Sequence, residues 1–126
     1  MKSLSNYTEQ AITKALDDNG AFFAFSNEQL NKEAKSNIKY VALGRGLICP
    51  KNNVTILLQA FSDITADGIK QDLKENGIND IVIRELANYE CFYTNDISDC
   101  VDALDEYGIT KEQIEEIYQN EKHNFQ

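Results

Sequence analysis

Glu85, Asn88 and Glu90 are the closest approach in this chain to a polar cluster in an apolar setting, and paired carboxylates are the usual equipment of acid–base catalysis. Such a pair works only when its two groups are held together, so that their environments drive their proton affinities apart. On a helix a spacing of five residues sets Glu85 and Glu90 about 140° apart, which does not converge. Surface or capping roles are expected for them, and a small enzyme or ligand- or metal-binding domain centred on Glu85, Asn88 and Glu90 stands as the alternative reading. His123, the only histidine, has no fixed partner near it in sequence and makes a poor base. Gly44-Arg45-Gly46 has the composition of an anion-binding nest, but phosphate loops open a helix and this one leads into an apolar strand-like run. It reads as a hairpin turn. Asp96, Ser98, Asp99 and Asp102 fall at positions reminiscent of a calcium loop, yet the central Gly and the closing Glu are missing. Cys49, Cys91 and Cys100 include no CxxC pair and are expected as small core residues. No catalytic residue, metal or cofactor is expected.

What remains is charge. Residues 1–50 carry six Lys/Arg and five Asp/Glu, whereas residues 51–126 carry six against sixteen. Between Glu90 and Glu121 ten carboxylates face one base, Lys111, so this segment alone has the −9 of the whole chain. Such a surface repels nucleic acid and anionic membrane, and favours solubility or a basic partner. The candidate docking residues are Asp99, Asp102, Glu106, Glu112, Glu115 and Glu116.

These side chains need elements to position them. At 126 residues the chain is of the size of one domain, 1–126, able to bury about two thirds of its unfolded surface. No apolar run approaches the ~20 residues that span a bilayer, and the N-terminus lacks the apolar core of a signal peptide, so a cytoplasmic protein is expected. The organising stretch is 40–61: a short apolar run turns at 44–46, runs on to Cys49, breaks at Pro50 and enters a helix. In that helix Val54, Leu57, Leu58, Phe61 and Ile64 form one stripe, with Asn52 or Asn53 as cap.

A first helix is expected over 5–18, ended by Asn19-Gly20. Ala21 to Phe25 reads as a short buried strand, and Ser26 with Gln29 as a capping box, Phe25 stapling onto Leu30. The second helix is only weakly amphipathic and belongs on the surface. Strands over 38–43 and 47–49, with 22–25, make a three-stranded antiparallel sheet. Residues 65–76 form a further short helix closed by Gly77, and 79–90 favours helix over strand on its Val82/Ile83 and Leu86/Ala87 spacing. Ile97, Cys100, Val101 and Leu104 then line one side of a helix capped by Asn95 or Asp96, with Asp99, Asp102 and Glu106 opposite. Thr110 with Gln113, and Ile109 with Ile114, specify the start of the last helix. The tail 123–126 is expected to fray. The sum is a mostly helical α+β domain with a small antiparallel sheet and a C-terminal acidic helical hairpin.

Three segments, Ala21-Phe22-Phe23-Ala24-Phe25-Ser26-Asn27-Glu28-Gln29, Cys49-Pro50-Lys51-Asn52-Asn53-Val54, and 85–93 with Glu85-Leu86-Ala87-Asn88-Tyr89-Glu90, resemble an uncharacterised family of small proteins from phages and mobile elements of gut anaerobes. The resemblance covers roughly residues 20–120. The family has no known function, so the resemblance implies no activity; its relatives often have His at the position of Tyr89, which weakens any acid–base or metal role built on the neighbouring Asn and Glu here. Together with the charge it leads to the expectation of a small acidic non-enzymatic protein-interaction module, encoded by a phage or mobile element and acting on a basic, nucleic-acid-binding host protein.

Overall fold

The computed structural model describes residues 2–124; of the expected frayed tail, Phe125 and Gln126 lie outside the described residues. The chain is mostly helical, with one three-stranded antiparallel sheet. It divides into two compact units, residues 2–68 and residues 69–126, with the division falling inside a helix rather than in a linker.

In the first unit α1 (Leu4–Asp18) ends where Ala21 N bonds the Leu16 carbonyl at 2.9 Å. β1 (Phe22–Phe23) follows, then α2 (Asn27–Glu33), β2 (Tyr40–Gly44) and β3 (Leu47–Pro50). The sheet order is β1-β3-β2, with Phe22 opposite Ile48, Val41 opposite Cys49 and a bulge between Ala42 and Gly44. Gly44, Arg45 and Gly46 all have positive φ (97°, 54° and 83°), a path that glycine takes without strain and that closes the β2–β3 hairpin. One sheet face, through Leu43, Leu47 and Cys49, shares a core with Ala15 and Leu16 of α1, Ala21, and Val54, Leu57, Ala60, Phe61 and Ile64 of α3.

Four expectations need correction here. Phe23 and Phe25 are not buried but 51% and 74% exposed, because β1 is an edge strand of two residues and Phe25 rests its ring on Gly46. The Ser26 cap forms, Gln29 N donating to Ser26 Oγ at 3.2 Å, but the Gln29 side chain reaches one residue further back, accepting from Phe25 N at 2.6 Å. In the helical stripe Leu57 is fully buried while Leu58 is 50% exposed, since the covered stripe runs through 54, 57, 60, 61 and 64 and turns Leu58 outward. Asn53, expected as a cap, donates its amide to the Asn19 carbonyl at 3.0 Å and so ties the start of α3 to the end of α1.

α3 (Val54–Asn88) has no break at Thr65; the short helix expected over 65–76 is its continuation. The interruption comes at Gly77, with φ 76° and ψ 160°, a region open almost only to glycine. Residues 79–88 are helical, as their spacing indicates.

In the second unit the 78–88 arm of α3 is followed by α4 (Cys91–Thr94), α5 (Ser98–Ala103), a 3₁₀ turn (Asp105–Tyr107) and α6 (Lys111–Glu121). Ile81, Val82, Leu86, Cys91, Phe92, Cys100, Leu104, Ile109, Ile114 and Tyr118 form its core. The Thr110–Gln113 capping box is complete, with Gln113 N to Thr110 Oγ1 at 3.2 Å and Thr110 N to Gln113 Oε1 at 2.8 Å.

Candidate functional site

The most elaborate polar arrangement is centred on Asp72, whose side chain is fully buried. Burying a carboxylate is tolerated only when it is paired and hydrogen-bonded, and the local sequence arranges both. Asn76, one turn on in the same helix, donates Nδ2 to Asp72 Oδ1 at 2.8 Å. Arg84 makes a two-pronged contact, Nη1 to Oδ1 and Nη2 to Oδ2, both at 2.9 Å. The Tyr107 hydroxyl, from the turn after α5, donates to Oδ2. Arg84 also donates Nε to Glu85 Oε1 at 2.8 Å.

The Gly77 conformation is what allows this. On an uninterrupted helix residues 72 and 84 would be about 18 Å apart along the axis, at 1.5 Å per residue, beyond the reach of any side-chain pair. The positive φ of Gly77 turns the 78–88 arm so that Arg84 meets Asp72.

Burial alone would push the Asp72 carboxyl up, but the bonds from Arg84, Tyr107 and Asn76 outweigh it and hold the group below the usual carboxylate range. Burial would lower the Arg84 pKa, and its bonds to Asp72 and Glu85 raise it instead. Tyr107 is raised by burial and then by donating to Asp72. Asp72 accepts four hydrogen bonds, which occupies the lone-pair sites an ionised carboxylate has. With its basicity reduced and its acceptors filled, Asp72 is a clamp between helix arms and turn, and not a general base.

The positions singled out by sequence are distributed differently. Glu85 is engaged by Arg84, whereas Asn88 and Glu90 are exposed and Glu90 takes the left-handed conformation (φ 56°) that separates α3 from α4. The three side chains therefore do not share the Asp72 cluster; only Glu85 joins it. Asp99, Asp102, Glu106, Glu112, Glu115 and Glu116 are all exposed, on the outer sides of α5, the turn and α6. None of the six takes part in an ion pair among the described residues. Asp102 and Glu115 come together in a depression of about 400 Å³ between α5 and α6, with Asp96, Lys111, Ile97 and Val101 also in its lining. Asp96 accepts from Ser98 Oγ at 2.6 Å and Ser98 N at 2.9 Å, which lowers its own pKa; the expected cap by Asn95 or Asp96 does not form, since Ile97 stands at the N-cap of α5 with no side-chain cap bond.

Cys49, Cys91 and Cys100 are buried, and burial raises all three thiols, Cys100 to about 12. His123 is exposed in the 3₁₀ turn Lys122–Asn124. Among the described residues no group of three or more His, Cys, Asp and Glu is placed to hold a metal ion, and no helix is long and apolar enough to cross a membrane.

Fold and site together define a small, mostly helical α+β protein whose second unit is locked by a buried ion pair and edged by exposed carboxylates. The chain belongs to the family of unknown function DUF7659, which it matches over residues 4–123. No curated protein and no solved structure matches it.

Proposed function

We propose that this chain is a non-enzymatic protein-interaction module of a phage or mobile element, working in the cytoplasm, and that its acidic α5–α6 face docks on a basic, nucleic-acid-binding host protein. The observation that carries this reading is the segregation of charge between the two units. Residues 2–68 have seven Lys/Arg and seven Asp/Glu; residues 69–126 have five against fourteen, and so hold the entire −9 of the chain. Asp99, Asp102, Glu106, Glu112, Glu115 and Glu116 are exposed and make no ion pair among the described residues, and Asp102 and Glu115 flank one depression with apolar Ile97 and Val101 in it. A surface of one sign steers a partner of the other sign and sets its rate of arrival. The mobile-element setting draws on the resemblance of segments 21–29, 49–54 and 85–93.

The test compares the wild type with the triple variant Asp99→Asn, Asp102→Asn, Glu106→Gln in capture of basic proteins from host lysate, at low and at high salt. All three positions lie opposite the apolar side of α5 and its following turn, so folding is preserved. Association of a captured, purified basic partner slows in the triple variant and loses its steep salt dependence, because exposed charges further apart than about 8 Å are screened at physiological ionic strength. The same partners recovered with the same salt response by both proteins would leave the carboxylates a solubilising role only.

A further inference from the structure

We infer that residues 2–68 hold a second site, separate from the acidic face, that takes a guanidinium or alkylammonium group. The site is a cleft of about 330 Å³ where the ends of α1 and α2 meet the outer face of the sheet. Register decides which residues face it. Phe22 and Ala42 both pair with Ile48, and Tyr40 pairs with Pro50, so Phe22 and Tyr40 stand on the sheet face opposite to the core-forming Leu43, Leu47 and Cys49. Their rings meet edge to face with centroids 5.6 Å apart, and the Tyr40 hydroxyl is anchored by the Lys35 backbone N–H at 3.1 Å.

Charge then selects the ligand. Asp17, at the end of α1, and Glu33, at the end of α2, line the cleft, and Lys35 joins them. Among the described residues none of these three charged groups makes a side-chain hydrogen bond or ion pair, although one residue away Lys14 Nζ binds Asp18 at 2.6 Å. Aromatic rings beside carboxylates suit a cation, and a guanidinium above all, since it is planar, weakly hydrated and stacks on rings. The volume lies at the lower end of the range for small-ligand sites, about 300–1,000 Å³, which fits an amino-acid-sized group. Lys35 supplies the complement for a carboxylate on the same ligand. The ligand class is therefore an arginine-type residue with an adjacent carboxylate, either the free amino acid or the C-terminal residue of a peptide.

Amide chemical shifts of the full chain are followed while adding L-arginine, arginine amide, which lacks the carboxylate, or the tripeptide Gly-Gly-Arg. Saturable shifts confined to residues 17–50 are expected, weakened at least tenfold in Asp17→Asn/Glu33→Gln. Lys35→Met is expected to weaken L-arginine or the tripeptide while leaving arginine amide unaffected. Tighter binding of L-arginine assigns the site to the free amino acid, and tighter binding of the tripeptide assigns it to a peptide terminus. No saturable shift below about 1 mM with any of the three, or equal binding by the double variant, overturns the proposal. Both variants carry exposed substitutions, and an unchanged amide spectrum confirms that they fold. Since the acidic face lies in the other unit, a null result here leaves the α5–α6 reading standing, and the reverse.

Discussion

Replacing Asp72 with Asn changes one atom in shape and nearly everything in electrostatics. The carboxylate is fully buried and accepts from Arg84 twice, from Tyr107 and from Asn76. An amide at this position turns one acceptor into a donor that faces other donors whichever way it is flipped, and it leaves the nearly buried Arg84 guanidinium with Glu85 as its remaining carboxylate partner among these groups. Removing one partner of a buried pair costs about 3–5 kcal/mol, a large share of the roughly 5–15 kcal/mol that holds a typical domain together. Urea titration followed by circular dichroism reads the change as a lower midpoint at unchanged slope. Two companions sharpen it. Tyr107→Phe removes one bond to a charged acceptor, for a loss of about 1.5–3 kcal/mol. Asp72→Leu/Arg84→Met/Glu85→Gln removes all three charges of the cluster and costs less than Asp72→Asn, since no unpaired ion stays behind. The pH dependence follows from the same geometry. Because the folded state depresses the Asp72 pKa, its contribution is present above the unfolded value of about 3.9 and is lost as pH falls through the folded value. Tyr107 is shifted the other way, so its contribution is present below about pH 10 and is lost as pH rises towards its folded value. Asp72→Asn flattens the acid limb. A loss under about half a kcal/mol for Asp72→Asn, or an unchanged acid limb, would falsify the clamp.

Leu57→Ala should cost roughly 2–5 kcal/mol, whereas Leu58→Ala, half exposed on the same helix, should stay within about 0.5 kcal/mol; equal losses in urea titration would show that the stripe is misassigned. Gly77→Ala should cost about 1–3 kcal/mol through its backbone conformation alone, because a Cβ there meets nothing within 4 Å. A neutral result would mean that the joint in α3 is not held at this residue.

Much of the fold is legible in the sequence because local signals and burial agree. Thr110 and Gln113, Ile109 and Ile114, and the Ile97-Cys100-Val101-Leu104 spacing each specify by themselves what the structure contains. The Gly44–Gly46 turn does the same for the hairpin. The failures occur where a tertiary contact overrides a local pattern. Phe22, Phe23 and Phe25 look like a covered strand, but a two-residue edge strand has too little sheet beside it to cover them. Thr65 reads as the start of a new helix when it lies inside one that runs from Val54 to the break at Gly77. The Asp72 clamp escaped for a related reason: its members lie at 72, 76, 84 and 107, and no short window contains them. The signal was present in another form. Asp72 sits at the inward register between Ile69 and Leu73, where a lone carboxylate demands a cation. Arg84, one of only two arginines beside ten lysines, interrupts the apolar run 81–86, and arginine is the residue suited to a two-pronged carboxylate contact.

The three thiols acquire a use from their placement. Cys49 lies in the core of residues 2–68 and Cys91 and Cys100 in that of residues 69–126, each with no accessible surface. An alkylating reagent reaches them only through transient opening, and raised pKa values keep them unreactive until then. The chain thus carries its own clock for each unit: the rate at which Cys49 is labelled times the breathing of one, and the rates at Cys91 and Cys100 time the other, without any probe being introduced.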